Sequence, residues 1–148
     1  MELITQLKET KKQTLGYFDL PDSMLTKSYG DNKWNVRQLL NHLTDAETVL
    51  YDRIRRVIAK PNQVIWGFDQ EAWAENLHYE TFPLPINKKV FSSVRDATIY
   101  LAEEYYESCG HHEFVHNETG TRTLKDEFKK VAEHNQHHLD QISRALVN

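Results

Sequence analysis

The 148-residue chain is predicted to be all-α, a four-helix bundle, on three observations. Four long segments carry apolar residues at helical spacing. Three of these segments begin with an N-terminal capping signature. Apolar and polar residues alternate nowhere over a stretch long enough to predict a strand. One hydrophobic core is expected at this length, so residues 1–148 are predicted to form a single domain.

The capping signatures and the prolines give the predicted bounds of the helices. Each signature pairs an Asn, Ser or Thr with a Gln or Asp three residues later: Asn35 with Gln38, Ser93 with Asp96, and Thr123 with Asp126. Pro21 lies beyond the first helix and Pro61 beyond the second, where neither can continue a helix. The four helices are therefore predicted over residues 2–19, 36–59, 93–108 and 124–146.

The segment from about residue 60 to residue 92 is the least regular part of the chain, and only residues 69–75 in it are predicted to be helical. A crossover of this length would allow the second and third long helices to run parallel to each other. The segment also carries Trp66, Phe68 and Trp73. These rings would either cover a cleft or pack into the core, and core burial is the favoured interpretation.

Composition excludes several classes of protein. The 18 Lys and Arg residues are scattered among 22 Asp and Glu, for a formal net charge of −4, which argues against a nucleic-acid-binding surface. The apolar runs are too short to cross a membrane, and residues 1–8 have no signal-peptide pattern, so a cytoplasmic protein is expected. Cys109 is the single cysteine, which excludes an intramolecular disulfide. It is interpreted as a packing residue at a helix end.

Three histidines are predicted to bind a metal ion. His134 and His138 lie four residues apart on the last helix, so both rings project from one face, with Cβ atoms roughly 5–6 Å apart. His42 lies at the edge of the apolar stripe of the second helix. Three neutral imidazoles with one position left for water or substrate are typical of a catalytic metal site.

Other polar residues are weaker candidates. Metal-bound imidazoles usually donate their second ring N–H to a carboxylate or carbonyl oxygen. The candidate acceptors for these hydrogen bonds are Asp45, Glu47 and Asp69. A second histidine cluster falls in a predicted loop and is interpreted as a set of surface residues: His111, His112 and His116.

Three segments, residues 34–47, 68–74 and 134–142, resemble the DinB-like, or DinB/bacillithiol-transferase-like, superfamily of small metal-binding four-helix proteins. The resemblance spans nearly the whole chain. It implies an up-down-down-up helix order and places His42, His134 and His138 at the positions of the three metal ligands of the family. Characterised relatives are metal-dependent transferases or isomerases that use a low-molecular-weight thiol such as bacillithiol, mycothiol or glutathione, and dimers are frequent.

The leading functional hypothesis is a divalent-metal-dependent thiol S-transferase that acts on small electrophiles, with no catalytic residue assigned beyond the ligands. Zinc or nickel is the expected ion, and iron or manganese are the alternatives. The expected partners are a small-molecule substrate, a low-molecular-weight thiol and a second copy of the chain, without nucleic acid or membrane. The competing hypotheses are a metal-dependent hydrolase and a non-catalytic stress protein that binds a metal or a small ligand.

Overall fold

The computed structural model describes residues 2–148 and shows a four-helix bundle with a small three-stranded sheet. The helices are α1 (Glu2–Tyr17), α2 (Asp22–Leu25), α3 (Val36–Ala59), α4 (Gln70–Asn76), α5 (Leu84–Tyr105) and α6 (Leu124–Leu146). The strands are β1 (Val64–Ile65), β2 (Glu113–His116) and β3 (Gly120–Thr123). The predicted bundle is confirmed, and the sheet is an addition to it. No helix within residues 2–148 has both the length and the apolar composition needed to cross a membrane.

Contacts between the long helices establish their directions. From α3 to α5, Asn41 pairs with Asn87 and Glu47 pairs with Arg95, so residue numbers rise together and these helices are parallel. From α3 to α6, His42 meets His134 while Arg53 meets Glu127, so these two are antiparallel. The pairs that set α1 antiparallel to α5 and parallel to α6 are Asp19–Lys88, Lys11–Asp96, Thr14–Asn135 and Tyr17–Ser143. The order is therefore up-down-down-up, as predicted.

The two helices that carry the candidate ligands begin as the capping signatures predict. Asn35 Oδ1 accepts a hydrogen bond from the Gln38 backbone N–H at 2.9 Å, and Gln38 Oε1 accepts one from the Asn35 N–H at 2.8 Å. Thr123 and Asp126 form the same reciprocal box at the start of α6. Both boxes satisfy backbone donors that the first helical turn leaves unpaired. The predicted bounds of α3 and α6 are confirmed.

The third long helix begins earlier than predicted, at Leu84 instead of Ser93. Pro83 is its N-cap and Pro85 lies in its first turn. Proline is tolerated there because the missing N–H has no partner inside the helix. The crossover therefore spans residues 60–83 instead of 60–92, and α4 lies within it with Asp69 as its N-cap. At its C-terminal end α5 stops at Tyr105, short of the predicted residue 108.

The sheet connects the crossover to the link between α5 and α6. β1 pairs in parallel with β2, with Val64 opposite Val115, and β2 forms a hairpin with β3. Gly120, at φ 83°, supplies the left-handed backbone conformation at the hairpin. His116 on β2 is only 4% exposed, so the interpretation of its cluster as surface residues is wrong for this histidine. Cys109 is partly buried against the core, as predicted.

The interior contains two apolar clusters. One includes Leu7, Ile54 and Phe128, and the other includes Leu40 and Ile142. Along each long helix, buried polar side chains separate the residues of one cluster from those of the other. The residues of this polar layer include Thr10, Thr14, Glu47, Arg95 and Asn135.

Arg95 of α5 is fully buried and holds the polar layer together. Its Nε and Nη2 donate to the two oxygens of Glu47 on α3 at 2.5 and 2.9 Å, and Nη2 also donates to Asn135 Oδ1 on α6 at 2.7 Å. Its Nη1 donates to the Leu7 carbonyl and to Thr10 Oγ1 on α1 at 2.9 and 2.8 Å. One guanidinium group therefore binds to all three of the other long helices.

We expect Arg95→Met to lower the free energy of unfolding by about 3–5 kcal/mol, because it leaves the Glu47 carboxylate buried without a counter-charge. The double variant with Glu47→Leu should regain most of that loss. The matched control is Lys88→Met, which breaks an exposed ion pair to Asp19 and should cost less than about 1 kcal/mol. Urea unfolding at pH 7 measures the free energy of unfolding of all three variants. A loss below about 1 kcal/mol for Arg95→Met would contradict the role of Arg95 as the counter-charge of Glu47.

Candidate metal centre

The three predicted ligands meet at one point between α3 and α6. His42 Nε2 and His138 Nε2 each lie 3.1 Å from His134 Nε2. One ligand nitrogen from each ring lies within 4.8 Å of both others. His42 is fully buried, His138 is 8% exposed, and His134 is half-buried. The spacing of four residues on α6 brings two of the rings together, and the antiparallel packing of α3 adds the third.

This geometry fits a small divalent ion. Zinc–nitrogen bonds of about 2.0–2.1 Å at tetrahedral angles place ligand nitrogens about 3.3 Å apart. The two distances of 3.1 Å between ring nitrogens lie close to that value. Three protein ligands would leave a coordination position for a small molecule, as in catalytic metal sites. The donor set is entirely imidazole, which suits zinc, nickel, copper and iron.

Burial keeps the three rings neutral. It lowers the pKa of His42 to about 3, with a further contribution from His138, and it lowers the pKa of His134 to about 2. The pKa of His138 is also lowered by burial, although a hydrogen bond to Gln141 opposes the shift. At pH 7 each ring therefore keeps a nitrogen lone pair, which is what metal coordination requires.

Gln141 orients one of the ligands. Its Oε1 lies 2.7 Å from His138 Nδ1, so the Nδ1–H donates to it and the lone pair of His138 is left on Nε2, toward the other histidines. The Gln141 side-chain nitrogen lies 3.3 Å from His137 Nε2, which holds the amide in this orientation. Gln141 is not among the residues predicted for the site, although its spacing of three residues from His138 could have identified it.

The carboxylates predicted as hydrogen-bond acceptors for the ligands have other partners, so that prediction is wrong. Glu47 binds Arg95 with both oxygens. Asp45 accepts a hydrogen bond from the Tyr79 hydroxyl at 2.5 Å. Asp69 caps α4 by accepting the Ala72 N–H at 3.1 Å. The partners of Glu47 and Asp45 lie 48 and 34 residues away and could not be predicted from local sequence, whereas the capping bond of Asp69 is local.

Aromatic rings surround His42. The Trp34 ring centroid lies 5.0 Å from that of His42, and the Phe68 ring centroid lies 6.3 Å from it with the two ring planes 23° apart. Trp73 packs on Phe68 at 4.8 Å. The favoured interpretation of the crossover aromatics as core residues is wrong for Trp66, which is 73% exposed. Phe68 instead lies against the candidate centre, as the alternative interpretation stated.

Comparison with known families identifies one match over most of the chain. The family model of the DinB superfamily matches residues 6–142. The solved structure of YfiT from Bacillus subtilis, described as "a probable metal-dependent hydrolase with an unusual four-helix bundle topology", superposes with a TM-score of 0.89. The match covers 97% of this chain and 83% of YfiT at 23% sequence identity, and it supports the fold.

Two curated relatives with similar sequences are both named as metal-dependent hydrolases. The protein "Putative metal-dependent hydrolase OB0413" from Oceanobacillus iheyensis is 29% identical over 130 residues, which cover 87% of this chain and 74% of the relative. A protein of Halalkalibacterium halodurans with the same kind of name, "Putative metal-dependent hydrolase BH0277", is 27% identical over 128 residues, covering 86% and 74%. These names and the histidine cluster support a metal-dependent function.

We expect the purified protein to hold about one divalent ion per chain, and His42→Ala and His138→Ala to lose it because each removes a donor. The exposed His111→Ala is the matched control and should keep the ion. Gln141→Leu should keep the site but weaken metal affinity about 10–100-fold, because it frees the His138 ring. Elemental analysis and competition with a chromophoric chelator measure these effects. Full metal content in both ligand variants would show that the site is elsewhere.

The metal-free protein should lose stability as the pH falls. The ligand histidines have lowered pKa values when folded and about 6.5 when unfolded, so the unfolded state binds more protons below that pH. Their contribution to the free energy of unfolding is present above pH 6.5. It declines from there toward pH 5, by at most about 1.4 kcal/mol per pH unit for each histidine. Urea unfolding with a chelator present measures the free energy of unfolding at each pH. Its slope against pH should be shallower for His42→Phe than for wild type and unchanged for His111→Gln. Equal slopes for His42→Phe and wild type would contradict the buried neutral state.

Proposed function

Because the chain belongs to the DinB superfamily and brings three neutral histidines to one point, we propose that it is a metal-dependent thiol S-transferase acting on small electrophiles. The observation that carries the proposal is the convergence of the three Nε2 atoms from two helices. A bound divalent ion, for which we propose zinc or nickel, would lower the pKa of a coordinated thiol and so supply a thiolate at neutral pH.

Each residue of the centre has a role in this proposal. His42, His134 and His138 hold the ion, and Gln141 keeps the His138 lone pair directed at it. The aromatic ring of Phe68 gives an apolar wall for the carbon skeleton of the electrophile. The sulfur forms a bond to the electrophilic carbon, the leaving group departs with its electron pair, and the thiol proton passes to solvent. The family resemblance also supports a homodimer, which we propose as the functional form.

Hydrolysis is the second candidate, and two observations favour it. The curated relatives are named as metal-dependent hydrolases. Asp45 lies three residues after His42 on α3, and burial raises the pKa of its carboxyl group, while Tyr79 holds it in place. A carboxylate so placed could accept the proton of an attacking water. In that case the nucleophile is water and the chain needs no thiol.

The two candidates differ in what the metal-loaded protein consumes. With a thiol panel of bacillithiol, mycothiol and glutathione and a panel of alkylating electrophiles, we expect metal-dependent loss of thiol that His138→Ala abolishes. The exposed His111→Ala should retain full activity. Asp45→Asn should leave thiol transfer within a few-fold of wild type, whereas it should reduce hydrolysis of an ester and amide panel by about 100-fold or more if water is the nucleophile.

Each outcome supports a different function. Thiol loss without ester hydrolysis supports the transferase, and hydrolysis that depends on Asp45 supports the hydrolase. Fully loaded protein that does neither would overturn both enzymatic proposals and leave the non-catalytic metal-binding protein as the remaining candidate.

A further inference from the structure

Residues 66–68 of the crossover lie along α3, beside the candidate metal centre and beyond it. The Phe68 ring lies near His42 at one end. At the other end, the Trp66 carbonyl accepts a hydrogen bond from Arg53 Nη2 at 3.2 Å. Between them, a Cβ added to Gly67 would come within 3.2 Å of the His116 ring, so the backbone passes close to that side chain. Residues 66–68 therefore follow α3 from the candidate metal centre to Arg53.

Lys130 lies on α6, in the neighbourhood of Arg53 and His116. It is one turn before His134 on α6, and burial, Arg53 and then Lys130 lower the pKa of His116. The side chain is half-buried, and burial lowers the pKa of its own amine. Among residues 2–148, no carboxylate lies within salt-bridge distance of Lys130. A half-buried ammonium without such a partner is unusual, because a desolvated charge is costly unless it is paired.

The charged side chains around Lys130 include one more cation than carboxylates. The neighbouring cations are Arg53 and Arg122, and both are directed at the single carboxylate of Glu127, at 3.6 and 2.9 Å. Glu118 is the other carboxylate that acts on Lys130. Three cations therefore face two carboxylates. Two buried atoms of this group have no hydrogen-bond partner: Arg53 Nε, in a side chain that is 4% exposed, and Glu127 Oε2.

We propose that Lys130 binds an anionic group of the substrate, a carboxylate, and holds the reacting end of that molecule at the three-histidine centre. This inference rests on the proposed metal-dependent function and specifies its substrate class. One helical turn separates the two anchors along α6, so the substrate carries its carboxylate a few bonds from the group that reacts. Lys130 is then a specificity-determining residue, and the histidines are the residues that hold the reactive centre.

The test uses the zinc-loaded protein and ligands that bind a metal ion whichever nucleophile the enzyme uses. A series of ω-carboxy alkylhydroxamates with two, three or four methylene groups is compared with the matching neutral amides by isothermal titration. At one chain length at least, we expect wild type to bind the acid about tenfold more tightly than the amide, as one charge-assisted hydrogen bond would give. Lys130→Gln should remove this preference, and Lys130→Arg should keep most of it.

The control variant is Lys129→Gln, which removes an exposed ammonium one position away on α6 and should keep the full preference. Zinc content is measured in every variant, so that lost binding is separated from lost metal. Equal binding of acid and amide to wild type, or an undiminished preference in Lys130→Gln, would overturn the role of Lys130 while the metal-dependent function stands. If neither compound binds the zinc-loaded protein, the zinc has no coordination position open to a ligand. The proposed role of Lys130 is then wrong as well.

Discussion

The buried guanidinium of Arg95 is the interaction on which the rest of the structure depends. It binds Glu47 on α3, Asn135 on α6 and the Leu7 carbonyl on α1. It therefore fixes the positions of the four long helices relative to one another along the bundle axis. His134 directly precedes Asn135, and Glu47 lies little more than one turn beyond His42. The contact that aligns the helices therefore also places His42 opposite His134. Because a buried ion pair contributes little net stability compared with apolar packing, we attribute its presence to this alignment.

The distribution of charge around the centre follows from the same arrangement. Glu47 is neutralised by Arg95, and Asp45 is bound by Tyr79, so neither carboxylate accepts a hydrogen bond from the ligand rings. The three imidazoles are left neutral in a partly desolvated site, where a divalent cation would keep its full charge. Such a centre attracts anionic ligands more strongly than one that includes a carboxylate. A thiolate nucleophile and a carboxylate-bearing substrate are both consistent with that preference.

The parts of the fold that local sequence determines could be predicted, and those that depend on distant contacts could not. The capping residues and apolar spacing of α3 and α6 are local, and with the spacing of His134 and His138 they predict the three histidines that the structure brings together. The start of α5 at Leu84 is not predicted from the sequence because a proline in the first turn of a helix has the same local appearance as one in a loop. The two residues of β1 carry too little pattern to predict a strand, since their pairing with β2 involves residues some fifty positions away.

The parallel arrangement of α3 and α5 explains why the centre is covered. Two parallel neighbours cannot be joined by a short turn, so the chain must cross the length of the bundle between them. In this protein residues 66–68 of the crossover lie along α3, where the Phe68 ring lies near His42 and the Trp66 carbonyl accepts a hydrogen bond from Arg53. The ligands belong to helices held by the buried Arg95 network, whereas the cover belongs to a connection with few buried residues. Substitutions in the crossover can therefore change the shape and charge of the surface beside the candidate metal centre without moving the three histidines.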